Sequence, residues 1–161
     1  MKILVAYDSY FGNTEKVARA VADAAASAGE VAFLKVDQVK PGDLEHLDLL
    51  FVGSPTRGFA PSEGTRAFLK QFKPGSLSNV KAAVFDTRIP LDDMKPAFLR
   101  FMQKLAGYAD VKMAASLKSA GAKMILPTEG FAVMDSEGPL KEGELERAAV
   151  WAKTVVNELA A

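Results

Sequence analysis

Hydrophobic residues in this chain fall either into short unbroken runs or into longer stretches where they recur every three or four positions. The runs lie at 2–7 (KILVAY), 31–36 (VAFLKV), 49–53 (LLFVG), 81–87 (KAAVFDT) and 123–126 (KMIL), and they have the length of strands. Those at 2–7, 49–53 and 81–87 are apolar enough for burial on both faces of a sheet. A further run, 131–134, reads as an extension of the fifth strand after a bend at Pro127. Between the runs the spacing turns helical. Val17, Ala18, Val21, Ala22 and Ala25 follow Thr14 on one helix face, and Gly29 stands where a C-terminal cap would fall. Residues 40–46 read as a turn with one helical turn. Ser62 is placed to cap a helix reaching Phe72, with Phe68, Leu69 and Phe72 inward. Two helical patterns, 95–105 and 111–120, are separated by Gly107, and the first reads as a helix packed on the sheet, with a cover over a bound ligand or a dimer contact as the sharper alternative. The last helix carries an apolar stripe of Leu145, Ala148, Ala149, Ala152, Val155, Val156 and Leu159, with Trp151 read at its edge.

Strands alternating with helices imply an α/β chain: a parallel sheet covered on both sides, with strands one, three and four in its middle. Ligands of such sheets bind at the carboxyl ends of the strands. Three loops meet there, 8–14, 54–62 and 87–91, all rich in Gly, Ser, Thr, Asn or Arg. The first is the most telling. A strand runs through it directly into a helix start, where free backbone N–H groups and the positive end of the helix dipole favour an anion, most often phosphate. Ser9, Asn13 and Thr14 add side-chain donors, and Gly12 lets the backbone approach closely. The same residues also suit plain turn and cap chemistry.

Composition narrows the field. The length, 161 residues, suits one domain, and half the residues are apolar against a quarter charged. Twenty basic residues balance twenty acidic ones, so no charge excess points to nucleic acid or an anionic membrane. With no cysteine and the single His46 in a polar segment, a His/Cys metal site and a cysteine nucleophile drop out. No G-x-S-x-G elbow is present for a serine hydrolase. No run is long enough to cross a bilayer and no signal segment is seen at the start, so the expected location is the cytoplasm.

The stretch 7–21, YDSYFGNTEKVARAV, resembles the signature of the flavodoxins: Tyr7, Ser9, Gly12, Thr14, Ala18 and Val21 fall on its aromatic, hydroxyl, small, Thr, Ala and aliphatic positions. Ala6 departs from it, since a larger apolar residue is usual there. The segment GSPTRG (53–58) resembles the family's second flavin loop. The resemblance implies a three-layer, doubly wound sandwich around a five-stranded parallel sheet in the order 2-1-3-4-5, as one domain. It further implies one flavin mononucleotide (FMN), its phosphate on Ser9, Tyr10, Phe11, Gly12, Asn13 and Thr14. The ring would lie between Pro55, Thr56, Arg57, Gly58 and Phe59 on one side and Thr87, Arg88 and Ile89 on the other. In flavodoxins the second loop changes conformation to accept the proton on flavin N5 during reduction, and Arg57–Gly58 is the matching peptide here.

Departures from the family matter for function. Flavodoxins commonly hold the ring between a tryptophan and a tyrosine, whereas these loops offer Arg57 and Phe59, then Thr87, Arg88 and Ile89. Phe59 suits either stacking or core anchoring. Arg57 and Arg88 set two positive charges near the expected ring, which would favour anionic flavin, unless they are ordinary surface arginines. The acidic surface by which many flavodoxins meet redox partners is absent from the composition. The leading expectation is an FMN-dependent electron carrier working between a reductase and an acceptor. The alternatives are a flavin-dependent oxidoreductase acting on a quinone or porphyrinogen-like substrate, and a flavin-free module that only binds partners. A receiver-type signalling module lacks its acceptor aspartate, since Gly53 and Ser54 stand at the end of the third strand.

Overall fold

In the computed structural model, which describes residues 1–161, β1 (Lys2–Tyr7) lies between β2 (Glu30–Lys35) and β3 (Leu49–Pro55). Beyond β3 come β4 (Lys81–Arg88) and then, on the same edge of β4, β5 (Lys123–Met124) and β6 (Glu129–Ala132). Every pairing is parallel and the strand order is β2-β1-β3-β4-β5, the doubly wound arrangement expected. The fifth position of the sheet is divided. β5 pairs with Lys81 and Ala82, the chain bends away at Pro127, and β6 returns to pair with Phe85 through Arg88. A proline has no N–H to give a ladder, so a break at this point is its natural place.

Alternation along the strands sorts the core into two layers. Ile3, Val5, Leu49, Phe51, Ala83 and Phe85 face α1 (Asn13–Ala25) and α6 (Glu144–Ala160). Leu4, Ala6, Leu50, Val52, Ala82 and Val84 face α3 (Glu63–Lys70) and α5 (Ala109–Ser119), the latter through Met113 and Leu117. α2 (Pro41–Leu44) is the single turn expected near residue 40. The Ser62 cap is present: its Oγ accepts the Thr65 N–H at 3.1 Å, and the helix ends at Lys70 rather than Phe72. β3 and β4 run further than the apolar runs do, so Ser54, Pro55 and Arg88 are still held in extended, paired backbone.

Four sequence expectations are corrected. Trp151 is central rather than marginal. It sits three residues after Ala148 and four before Val155, which puts it inside the stripe, and its ring meets Phe51, Phe85 and Phe131 edge-on at 5.7, 5.9 and 6.1 Å. Leu145, read as part of that stripe, is exposed. Gly29 is no cap, since α1 ends at Ala25 with Ala26 as its cap; it passes so close to Met1 that a Cβ would lie 2.1 Å from the Met1 carbonyl oxygen. The helix α4 (Ala97–Ala106) is not packed on the sheet: α5 already covers that face, and Phe98, Phe101 and Leu105 of α4 are exposed. Trp151→Ala should therefore lower unfolding free energy by about 3–5 kcal/mol in chemical denaturation, against about 0.5 kcal/mol or less for Leu145→Ala.

Candidate functional site

At the carboxyl end of the sheet the three loops enclose a cleft of about 710 Å³. Ser9, Tyr10, Phe11, Asn13 and Thr14 line it from the first loop, Pro55, Thr56, Arg57, Gly58 and Phe59 from the second, and Thr87, Arg88 and Ile89 from the third. Gly12 shapes the first loop without lining the cleft. It holds φ at +89°, a left-handed conformation that side-chain-bearing residues seldom adopt, immediately before the helix. Ser9 supports that turn, its Oγ accepting the Gly12 N–H at 3.0 Å. The backbone N–H groups of Tyr10, Phe11, Asn13, Thr14 and Glu15 donate to no protein acceptor. Unpaired donors at the start of a helix are what a phosphate needs.

The side chains of that loop are partly engaged within the protein. Thr14 Oγ1 shares a hydrogen bond with Thr87 Oγ1 at 2.7 Å, tying the first loop to the third. Asn13 Nδ2 donates to the Glu137 carbonyl at 3.0 Å and holds a fourth wall, Val133–Ser136, against the cleft. In the second loop Arg57 and Ala60 exchange backbone hydrogen bonds of 3.0 and 3.1 Å around Gly58 (φ +53°) and Phe59 (φ +63°). The Phe59 carbonyl accepts from Lys112 Nζ, and Phe59 lines the cleft and belongs to neither core layer. The Arg57 guanidinium lies over Tyr10 and Phe11, 5.3 and 5.0 Å from their ring centres.

Arg88 is neither a surface arginine nor a free cation. Its Nε donates to Asp86 at 2.6 Å, and its Nη2 lies 2.9 Å from Asp110, an ionic contact that falls short of hydrogen-bond alignment. The guanidinium is stacked 3.9 Å from the Tyr108 ring centre on one side. Gly130 provides the remaining room, since a Cβ there would sit 2.3 Å from Arg88 Cζ. Thr56 donates to Asp86 and Thr128 to Asp110. Two carboxylates thus face one guanidinium, and the expected cation of the third loop is cancelled. Burial pushes the Asp86 carboxyl up to about 6, outweighing the opposite pull of Arg88 and Thr56. Burial also works against the Arg88 charge, but Asp86 and Asp110 more than compensate and hold it protonated.

Sequence reasoning missed Asp86, Tyr108, Asp110, Gly130 and the wall at 133–136. One signal was available: Asp86 and Arg88 are two apart on a strand, hence on one side of it, and a carboxylate inside an apolar strand requires a partner. No cluster of His, Cys, Asp and Glu suited to a metal is present, and no helix is long and apolar enough to cross a membrane.

The family model for flavodoxin matches residues 5–146. Two curated relatives, from Azorhizobium caulinodans and Methylocella silvestris, both named NAD(P)H dehydrogenase (quinone), are 36% identical over 91 residues and 35% identical over 109 residues. These alignments cover 44% and 52% of this chain and 46% and 55% of the relatives, so the chain matches about half the length of each. Among solved structures, a flavodoxin from the domain Archaea superposes with a TM-score of 0.78 at 17% identity, covering 100% of both chains.

The buried carboxyl has a consequence for stability. Its folded value of about 6 lies above the ordinary 3.8, so the folded state holds this proton more tightly than the unfolded chain. The contribution is complete below about pH 4 and is lost as pH rises through about 6, a loss on the order of 2–3 kcal/mol. Unfolding free energies measured by denaturant from pH 4 to 7 should show this decline in the native protein relative to Asp86→Asn. Identical pH profiles would contradict it.

Proposed function

We propose that this chain, which belongs to the flavodoxin family, is an FMN-dependent electron-transfer protein working between redox partners in the cytoplasm. The observation that carries this reading is the group of unpaired N–H donors at Tyr10, Phe11, Asn13 and Thr14, four residues that line a cleft large enough for a small cofactor, with that of Glu15 next in the helix. The residues fit the group: a helix start supplies the phosphate site, and three loops leave a slot for a planar ring. Bound FMN supplies reversible one- and two-electron chemistry, and the protein sets its energetics.

The residues divide that work. The first-loop N–H groups hold the phosphate, and Ser9 keeps the turn that aims them. Pro55, Phe59 and Ile89 restrict water around the ring, which strengthens every charge interaction there. The Arg57–Gly58 peptide is the group placed to exchange a hydrogen bond with the ring, and glycine lets that peptide turn over at low cost. Arg57 is the cation of the ring loops that no carboxylate neutralises, and Lys95 adds a second unpaired cation to the cleft lining, so stabilisation of anionic flavin rests on these two, while Asp86 and Asp110 oppose negative charge nearby.

A second reading, reduction of a quinone, is favoured by one observation. The cleft continues past the three loops beneath α4 to Met94, Leu99, Gln103 and Tyr108, space that a second planar molecule could occupy. The names of the two curated relatives point the same way. Steady turnover of a quinone with a reduced nicotinamide, without any added reductase, separates this activity from electron carriage.

The first test is the visible spectrum of the protein after saturation with FMN and desalting. Retained, fluorescence-quenched flavin is expected. A colourless protein would turn the reading towards a flavin-free partner-binding module. Ser9→Ala, which removes the prop under Gly12, should weaken FMN binding about tenfold in a fluorescence titration.

A further inference from the structure

The helix α4 is turned inside out. Its one buried side chain is polar: Gln103 is 3% exposed and donates to the Gly107 carbonyl, which closes the helix end. Phe98, Phe101 and Leu105 are 66%, 59% and 70% exposed. Their spacing of three and four residues sets them in one ridge along the outer face. Arg100 and Lys104, one turn apart, run beside that ridge, also exposed, and the helix has no acidic residue. Lys95 precedes it. Asp92 and Asp93 lie in the turn before it, and Asp93 is already paired with Lys141. An apolar ridge of this size left in water marks an interaction surface.

We infer that α4 is the docking element for an acidic redox protein, its ridge entering an apolar groove and Arg100 and Lys104 meeting carboxylates on the groove's rim. This rests on the electron-transfer reading above. Three anchors at i, i+3 and i+7 are how a helix fills a protein groove, and aromatic and arginine side chains dominate such contacts. A second copy fits poorly. Helix against symmetry-related helix would bring Arg100 and Lys104 towards their own counterparts with no acid on either helix. A lipid surface also fits poorly, because one ridge on a ten-residue helix with three nearby cations gives only marginal, reversible adsorption. Position supports the protein partner. Leu99 and Gln103 line the cleft from the inner face of the same helix, so a molecule held on the outer ridge stands about one helix diameter, roughly 10 Å, from the cleft.

The test uses an acidic ferredoxin as the probe and cytochrome c, a basic protein, as the probe of opposite charge. Calorimetric binding is measured with the FMN-loaded and the flavin-free protein at about 20 and about 200 mM salt. Ferredoxin affinity is expected to fall at least about tenfold between the two salt levels. Arg100→Glu/Lys104→Glu should lower it by a similar factor at low salt and shift preference towards cytochrome c. Phe98→Ser/Phe101→Ser should weaken ferredoxin binding about tenfold while FMN retention stays native. No ferredoxin binding, or binding that neither double variant changes, overturns the inference. So does a dimer by light scattering that Phe98→Ser/Phe101→Ser dissolves. Flotation with vesicles of phosphatidylcholine and phosphatidylglycerol that the same variant abolishes also overturns it. Loss of flavin on desalting would fail the electron-transfer reading alone, since the flavin-free protein still reports on the ridge.

Discussion

Two-sided burial of β1, β3 and β4 governs this molecule. Ile3 through Ala6 and Leu49 through Val52 have no exposed surface, so both faces of these strands must be apolar and every backbone polar group must be paired in the ladder. Polar chemistry is thereby pushed to the strand ends. The loops after β1, β3 and β4 all emerge at the same end because the strands are parallel, and that geometry alone gathers Thr14, Thr56 and Thr87 within reach of one another. The contacts between Thr14 and Thr87, and between the Thr56 N–H and the Thr87 carbonyl, lock the gathered loops together.

One charged group breaks the rule, and the site is built around the exception. Asp86 is fully buried in β4, and the surrounding structure compensates with Arg88, Thr56 and, through Arg88, Asp110. The flat Tyr108 ring and the missing side chain of Gly130 shape a slot that fits a guanidinium and little else. A carboxylate stripped of any one of these partners would be a costly buried charge, which ties four separate segments of chain to a single requirement.

The sheet and its helices were legible because they rest on periodicity: continuous runs for buried strands and helical spacing for α1 and α6. The turn of the first loop was legible because its chemistry is local, a strand end, Gly12 and a helix start within a few residues. What escaped depends on contacts between distant segments. Arg88 reads as a free cation until Asp110, twenty-odd residues on, is folded against it. Trp151 reads as marginal unless its spacing to Ala148 and Val155 is counted. The placement of α4 turned on competition: two helical patterns followed β4, one face of the sheet was available, and α5 took it with Met113 and Leu117.

The hydrogen bond from Asn13 to the Glu137 carbonyl joins residues 124 positions apart. A contact of that span has no local support, so the wall at 133–136 is held in place only with β6 docked on β4 and α6 docked on α1. The first loop draws its turn from neighbouring residues, Ser9 bonding Gly12, but the enclosed cradle exists only in the complete fold. A ligand held there binds the complete topology in preference to any partly assembled one, so its binding energy is added to a contact that joins the two ends of the fold.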